Sequence, residues 1–521
     1  SNLKKSAKSV VTIIVFTLAS KVLGFLREAL IASKYGSGAG TDTYFIALSA
    51  VSLFSVLLTQ TINTTLIPIL SDVEAQEGKK GKLNHLNNFL NTVTIIAFIL
   101  VVIGYFVTPL LMTFLGKGFV GEQFEFAILL TRIGLPMLIF SSVVGVFRGY
   151  LQSEEFFNES AAAAFPKNIV YILFLIFLSQ YFSIKALMVA AVIAEASQLL
   201  IQIPSLRKLG YRYKMNVDLQ DEYMQRLAAL IPPILISVAI SDLNNLIDKS
   251  MASSLVKGSV SSLNYASVLN NIVMSVFVTA IITVIFPMLS KEANAENYNG
   301  LKKLMHTSLN IVLLITIPAA IGMIVLATPA VKFAYQRGEF GEAATMMTSS
   351  ALVYYSLGLV GNGVKGLLTR VYYSLKDTKT PMINSAYALG LNFIFNLVLV
   401  QFMGHRGLAL ATSLSTTITA IILLHHLRKK IGNLGLKAMI QSSVKILVSS
   451  LIMGVAVYFT YHSLMAALSP SRLVELILVF LTVLIGIAVY IAALYLFKVD
   501  ELHFAIDYTK RQLKERKQNK N

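Results

Sequence analysis

The chain has no cysteine and no tryptophan, and only 13% of its 521 residues are charged. Without cysteine there is no disulfide, no thiolate nucleophile and no cysteine-type metal site. Without tryptophan, any aromatic belt at a membrane surface falls to tyrosine. No HExxH, GxSxG or phosphate-loop pattern occurs, so the common zinc-protease, serine-hydrolase and ATPase motifs are missing and ATP hydrolysis within this chain is not expected. Of the seven histidines, His425 and His426 adjoin a basic loop and read as solvated. Soluble domains carry about 25% charged residues, so the shortage of charge itself argues against that class.

What is present is long apolar sequence. Val10–Ile31, Val93–Val107, Tyr171–Phe182, Ile311–Ala327 and Leu473–Phe497 are runs of this kind. About 20 apolar residues cross a bilayer as a helix, and lipid satisfies no backbone hydrogen bond, which leaves helices or closed barrels. Barrel strands are short and alternate in polarity; these runs do neither. The first run is too long, and too embedded in further spans, for a cleaved signal peptide. Helices are expected near 10–34, 43–70, 87–115, 127–151, 161–182, 185–205, 226–255, 262–290, 306–334, 346–374, 380–403, 405–427, 440–466 and 471–498. The fold class is therefore all-α integral membrane with fourteen crossings.

The net charge of +18 is not a nucleic-acid face, because the basic residues sit in short loops between apolar runs. One alternate set of loops holds the clusters Lys4, Lys5 and Lys8; Lys79, Lys80 and Lys82; Arg207, Lys208, Arg212 and Lys214; Lys291, Lys302 and Lys303; Lys376 and Lys379; Arg428, Lys429, Lys430 and Lys437; and the tail from Lys510 to Lys520. The other set holds Lys34, Lys117, Lys185, Lys257, Arg406, Arg472 and the pair Lys332 and Arg337. A miscounted helix would mix the sets, so the separation predicts fourteen spans with both termini in the cytoplasm.

The chain also repeats itself. Pro68, Leu70, Ser71 and Glu77 recur as Pro287, Leu289, Ser290 and Glu296; Arg148 and Tyr150 as Arg370 and Tyr372; Leu187 and Ala190 as Leu408 and Ala411; and Leu206-Arg207-Lys208 as Leu427-Arg428-Lys429, in order and at nearly one offset. The offset spans six helices, an even number, so the halves have the same orientation, as in parallel-repeat transporters. The expected organisation is an N-terminal lobe at 1–215, a C-terminal lobe at 216–432, two appended helices at 433–498 and a basic cytoplasmic tail at 499–521.

Ionisable residues at membrane depth mark pathways or partners. The first helix carries Lys21, Arg27 and Glu28 around Gly24. Lys21 and Glu28 share a face, about 10 Å apart along the axis. This is a cationic patch for an anionic substrate, or a snorkelling Arg27 with a structural ion pair. Asp42 opens the second helix, as a functional acid or as an N-cap. In Ser241-Asp-Leu-Asn-Asn-Leu-Ile-Asp-Lys, Asn244 and Asn245 share a face with Asp248, an oxygen set for a hard cation such as Na⁺ or for interhelical hydrogen bonds. Asn392 and Asn396 stand four apart in the same way. Glu195 and Lys365 are single intramembrane charges. Gly361-Asn-Gly-Val-Lys-Gly lies inside an apolar helix with no preceding strand and is not a phosphate loop.

At Ser20–Glu28, Gly36–Phe45, Ser259–Ala266, Phe286–Glu292, Tyr373–Asn384 and Gly407–Lys430 the chain resembles the MurJ (MviN) lipid II flippases of the multidrug/oligosaccharidyl-lipid/polysaccharide exporter superfamily. Tyr373-Ser-Leu-Lys-Asp-Thr-Lys-Thr-Pro and Gly407-Leu-Ala-Leu-Ala-Thr-Ser-Leu carry the likeness most specifically. The resemblance implies a flippase moving the lipid-linked peptidoglycan precursor across the bacterial inner membrane. It implies substrate-binding roles for Lys21, Arg27, Glu28, Asp42 and Lys249. It also implies a sodium site at Asp248, Asn392, Asn396, Thr412 and the Leu408 carbonyl, with Asn396 where the family has an acid. Two arginines of the family's cavity are absent, with Phe54 and Val268 in their places. The expected cycle is alternating access: the head group enters a cytoplasm-facing cavity, while the polyprenyl tail stays in lipid or along the two appended helices. The expected partners are the anionic lipid-linked substrate and membrane lipids, with no nucleic acid, no cofactor beyond Na⁺ as coupling ion, and a monomeric protein. The rival readings are a flippase for another polyprenyl-diphosphate-linked saccharide, a multidrug or cation antiporter, and a non-transporting scaffold.

Overall fold

The computed structural model describes residues 2–468, 471–500, 507, 510, 511, 513–515, 517 and 518, and the backbone alone at 2–14, 64, 233–238, 241, 280, 283, 284, 286 and 287. Arg516 and Lys520 of the basic tail, and the side chains of Lys4, Lys5, Lys8 and Pro287, lie outside the described residues. Among the described residues every regular element is a helix. Among the described residues nine helical stretches are long and apolar enough to cross a bilayer, or ten if a pair bent by 47° is counted as one span.

The chain divides into two compact units. The first comprises residues up to Tyr265 together with Tyr335–Met347. Its helices are α1 (Asn2–Tyr35), α2 (Ala39–Leu115), α3 (Glu122–Gly134), α4 (Met137–Ser153), α5 (Asn158–Ala162), α6 (Ala164–Leu173, continued in π form to Leu178), α7 (Ile184–Ser197), α8 (Leu199–Lys208) and α9 (Glu222–Ala252). With 77 residues, α2 would be about 115 Å long at 1.5 Å per residue, far more than the roughly 30 Å of a bilayer core. It breaks at Gly78, where φ is 73°, a value glycine adopts without a Cβ penalty. The sequence places separate helices at 43–70 and 87–115; the structure joins them through this exposed bend.

The bend is fixed by charge. Lys82 is only 1% exposed and meets Glu74 at 2.9 Å and Glu154 at 2.7 Å. A buried ammonium is tolerated only when paired in this way. Next to it, the extended segment between α8 and α9 lies on an asparagine ladder. Asn87 donates to the Arg212 carbonyl, Asn88 to that of Asp218, and Asn91 to that of Lys214, at 2.9 to 3.0 Å. These side chains supply the partners that a strand neighbour would otherwise give. Asp221 ends the segment by capping α9 at the Met224 amide. The core joins Leu66, Leu70, Phe89 and Tyr150 to Tyr223, Met224 and Leu227 of α9. The repeat boundary at 215/216 is thus distinct from the packing division, which keeps α9 in the first unit.

The second unit comprises Ala266–Ala334 and the chain from Thr348 onward, the divisions falling within α10 (Ser259–Val273) and α14 (Glu342–Ser356) and at the end of α13 (Ala327–Tyr335). Its other helices are α11 (Thr279–Asn294), α12 (Tyr298–Val325), α15 (Leu359–Ser374), α16 (Lys379–Met403), α17 (His405–Ile431), α18 (Leu436–Leu468) and α19 (Arg472–Leu496). Small residues set its spacing, as expected where lipid supplies no hydrophobic drive between helices. A Cβ on Gly361 would lie 2.8 Å from Thr417 Cα, and one on Gly407 2.5 Å from the Leu399 carbonyl oxygen. The glycines of Gly361-Asn-Gly-Val-Lys-Gly are therefore packing surfaces. The last two helices belong to this core: Tyr490 donates to the Leu314 carbonyl at 2.8 Å, and Lys332 pairs with Glu475 at 2.9 Å.

The specific motif around Tyr373–Pro381 has a mechanical role. Asp377 accepts hydrogen bonds from the Thr380 amide at 3.0 Å and hydroxyl at 2.7 Å, starting α16, and from Lys430 at 2.9 Å. Burial pushes its carboxyl up, but the Thr380 and Lys430 contacts outweigh this and hold it down at about 2.

Candidate substrate chamber

Within the first unit α1, α2, α9 and the start of α10 enclose a cavity of ≈ 260 Å³. Helical spacing brings its polar lining together. Ser49 and Ser52 come from one face of α2, Asp242, Asn245 and Lys249 from one face of α9, Glu28 from α1 and Asn264 from α10. Lys249 donates to Ser49 Oγ at 2.5 Å. Glu28 accepts from Asn264 at 3.4 Å and meets Arg27 at 3.3 Å. Arg27 stands behind this wall, donating to Asn168 of α6 at 2.9 Å and lying 5.1 Å from the Tyr171 ring centre. Among the described lining residues Lys249 is the one cation, beside two carboxylates, Glu28 and Asp242, of which Glu28 is paired with Arg27.

Three of the five substrate-binding candidates gather here: Glu28 and Lys249 line the cavity and Arg27 braces Glu28. Lys21 is exposed and does not line it. Asp42 does not either. Its carboxylate accepts from the Gly258 amide at 2.7 Å and the Ser261 amide and hydroxyl at 2.9 and 2.6 Å, so it caps α10 and ties α2 to it. The N-cap of its own helix is Gly38, bonded to Thr41. Phe54, at one missing arginine, turns from the chamber toward an apolar cavity on the other side of α2.

The cation candidates divide between the units. Asp248 is buried on α9, and Asn244 Oδ1 four residues earlier is buried without a hydrogen-bond partner. In the second unit Asn392 and Asn396 are fully buried, and the Thr412 hydroxyl lies 3.4 Å from Asn392 Oδ1 and 3.2 Å from the Leu408 carbonyl. Each group consists of hard oxygen donors, the first with a carboxylate and the second with neutral oxygens only. No cluster of three or more His, Cys, Asp or Glu occurs among the described residues. Glu195 is bonded to Ser141 at 2.9 Å and Lys167 at 3.2 Å, and Lys365 donates to Thr419 at 3.3 Å; both tie helices together. Asp242 escaped the sequence reading although it stands seven residues before Lys249 and so on its face. Nothing in the sequence singled out Ser49 or Asn264.

Long apolar helices in both units, and a charged chamber in the first, mark a polytopic membrane protein of the transporter class. The sequence pattern of the family described as Lipid II flippase MurJ matches residues 31–479. The probable lipid II flippase MurJ of Rickettsia prowazekii is 26% identical over 93% of this chain and 96% of its own length. The lipid II flippase MurJ of Burkholderia cenocepacia is 26% identical over 81% and 84%. A solved lipid II flippase MurJ in an inward closed conformation superposes with a TM-score of 0.79 at 26% identity, covering 94% of this chain and 98% of that one. An inward-facing multidrug resistance MATE family transporter of the MOP superfamily shares the fold, with a TM-score of 0.65 at 14% identity over 82% and 98%. The chain belongs to the lipid II flippase MurJ family: it is a multi-pass inner-membrane lipid II flippase, a transporter and not an enzyme.

Proposed function

We propose that this flippase works by alternating access and that the chamber receives the anionic diphosphate of lipid II, with Lys249 as its principal contact. The observation that carries this is Lys249 on the chamber wall, with the neutral Ser49 hydroxyl as its hydrogen-bond partner, while Arg27 is committed to Asn168 and Glu28. Arg27 and Glu28 shape the wall; Lys21 lies outside and acts as a steering charge; Asp42 holds α10 in place beneath it. Fourteen crossings with cytoplasmic termini agree with the bend that splits α2 in two. The repeat then builds two six-helix lobes, with α18 and α19 appended and open to a lipid tail. The protein works as a monomer. Sodium, taken up through the oxygen donors Asp248 of the first unit and Asn392, Asn396, Thr412 and the Leu408 carbonyl of the second, or the membrane potential, which supplies about 2.3 kcal/mol per charge at 100 mV, drives the cycle.

The test is lipid II translocation in bacteria depleted of their own flippase. Wild-type chain should restore translocation and Lys249→Ala should not. Restoration by Lys249→Ala at wild-type protein level would overturn the assignment of the chamber.

A further inference from the structure

A second cavity of ≈ 510 Å³ lies in the first unit, and the diphosphate reading leaves it unused. Its walls come from α2 on both sides of the Gly78 bend, from α3 and α4, and from Ala239 of α9. Thr131 is the one polar side chain among the described lining residues, and its hydroxyl donates to the Ala127 carbonyl at 2.8 Å. The described lining offers no free polar group, so a sugar or phosphate against it would lose its hydration without replacement. Phe54, Ile103 and Val107 are partly exposed at its edge, as befits a pocket open to lipid.

The two cavities lie on opposite faces of α2, and their linings come side by side at the edges of those faces on α2 and on α9. Leu53 borders the chamber and Leu57, one turn on, borders the apolar cavity. On α9, Asp242 borders the chamber and Ala239, three residues earlier, the apolar cavity. Residues three or four apart are neighbours on a helix surface, so the polar and apolar sites are adjoining compartments. An amphiphile with a diphosphate at one end matches that pairing.

We infer that the apolar cavity behind Phe54 binds the head-proximal isoprenoid segment of the substrate's tail while the diphosphate sits in the chamber. This rests on the chamber reading above and adds a tail site on the first unit. Phe54 then has a positive role, giving apolar contact to the isoprenoid chain.

The experiment uses the full chain in nanodiscs and farnesyl diphosphate carrying a diazirine at its far end. Cross-links are expected at the Phe54, Ile103 and Leu138 walls. Ile103→Trp, which fills the cavity, should lower labelling there by about tenfold, the factor that corresponds to roughly 1.4 kcal/mol. Ile99→Trp, a similarly exposed position outside the lining, should leave labelling unchanged. Displacement of the probe by inorganic pyrophosphate reads the chamber separately. Displacement with labels confined to α18 and α19 would overturn the tail site and leave the chamber standing; labelling at the walls that pyrophosphate does not touch would overturn the chamber. Equal competition by a plain phosphatidylcholine would mark the cavity as a bulk-lipid pocket and refute the inference.

Discussion

Removing the Lys249 ammonium is the sharpest test of how the chamber recognises charge. A unit charge about 4 Å from another is worth about 4 kcal/mol at the effective dielectric of 20 that suits protein sites. To meet a diphosphate, Lys249 gives up its hydrogen bond to Ser49, a net loss of about 1 kcal/mol. The balance, about 3 kcal/mol, corresponds to roughly a hundredfold in affinity. Lys249→Ala should therefore weaken lipid II binding by about that factor, measured with purified full-length protein in nanodiscs, while Lys249→Arg keeps the charge and most of the affinity. Lys21→Ala, at an exposed position, should cost no more than a solvated charge, under about 1 kcal/mol. A Lys249→Ala protein that is folded, by its unfolding temperature, and binds within threefold of wild type would refute the reasoning. So would a larger loss at Lys21 than at Lys249.

The structure makes three further predictions. Lys82→Met should destabilise by about 3 kcal/mol, because Glu154, with its side chain 9% exposed, keeps only the exposed Lys79 at 3.8 Å as counter-charge; the double variant with Glu154→Gln should recover most of the loss in detergent unfolding temperature. Gly407→Ala places a methyl 2.5 Å from the Leu399 carbonyl oxygen, a backbone clash that no rotamer relieves, so at least about 1 to 3 kcal/mol should be lost and the α16–α17 hairpin should show raised proteolysis. Asp377→Asn should cost about 1 kcal/mol near pH 7. Because the folded carboxyl is held at about 2, below its ordinary 3.8, the stabilisation is present above pH 3.8 and fades as pH falls through 2. Unfolding temperatures of the two proteins should converge over that range.

Several readings were open in the sequence because they depend on one helix alone. Glu28 in a span, Lys249 beside Asp248, and the glycine-rich motifs are of this kind, since helical periodicity fixes which residues share a face. Others depend on two helices at once. Asp42 carries the same local signature whether it caps its own helix or another's, and only the approach of Gly258 and Ser261 decides between them. Asn244 and Asn245 are adjacent and equally polar, yet only Asn245 faces the chamber, because a step of one residue turns a side chain about 100° round the helix.

The sequence by itself determined a helical membrane protein with an internal repeat, and its motifs carried the resemblance to the MurJ family. Apolar run length, the sorting of basic residues and the internal repeat are all written along one dimension, and lipid leaves the backbone no alternative to the helix. Only the tertiary structure decided which charges meet. It put Lys249 on the chamber wall, left Lys21 outside, spent Asp42 on α10 and buried Lys82 between two carboxylates. Those outcomes follow from close approach between helices distant in sequence, where electrostatic and hydrogen-bond energies act over a few ångströms and no local pattern records the partner.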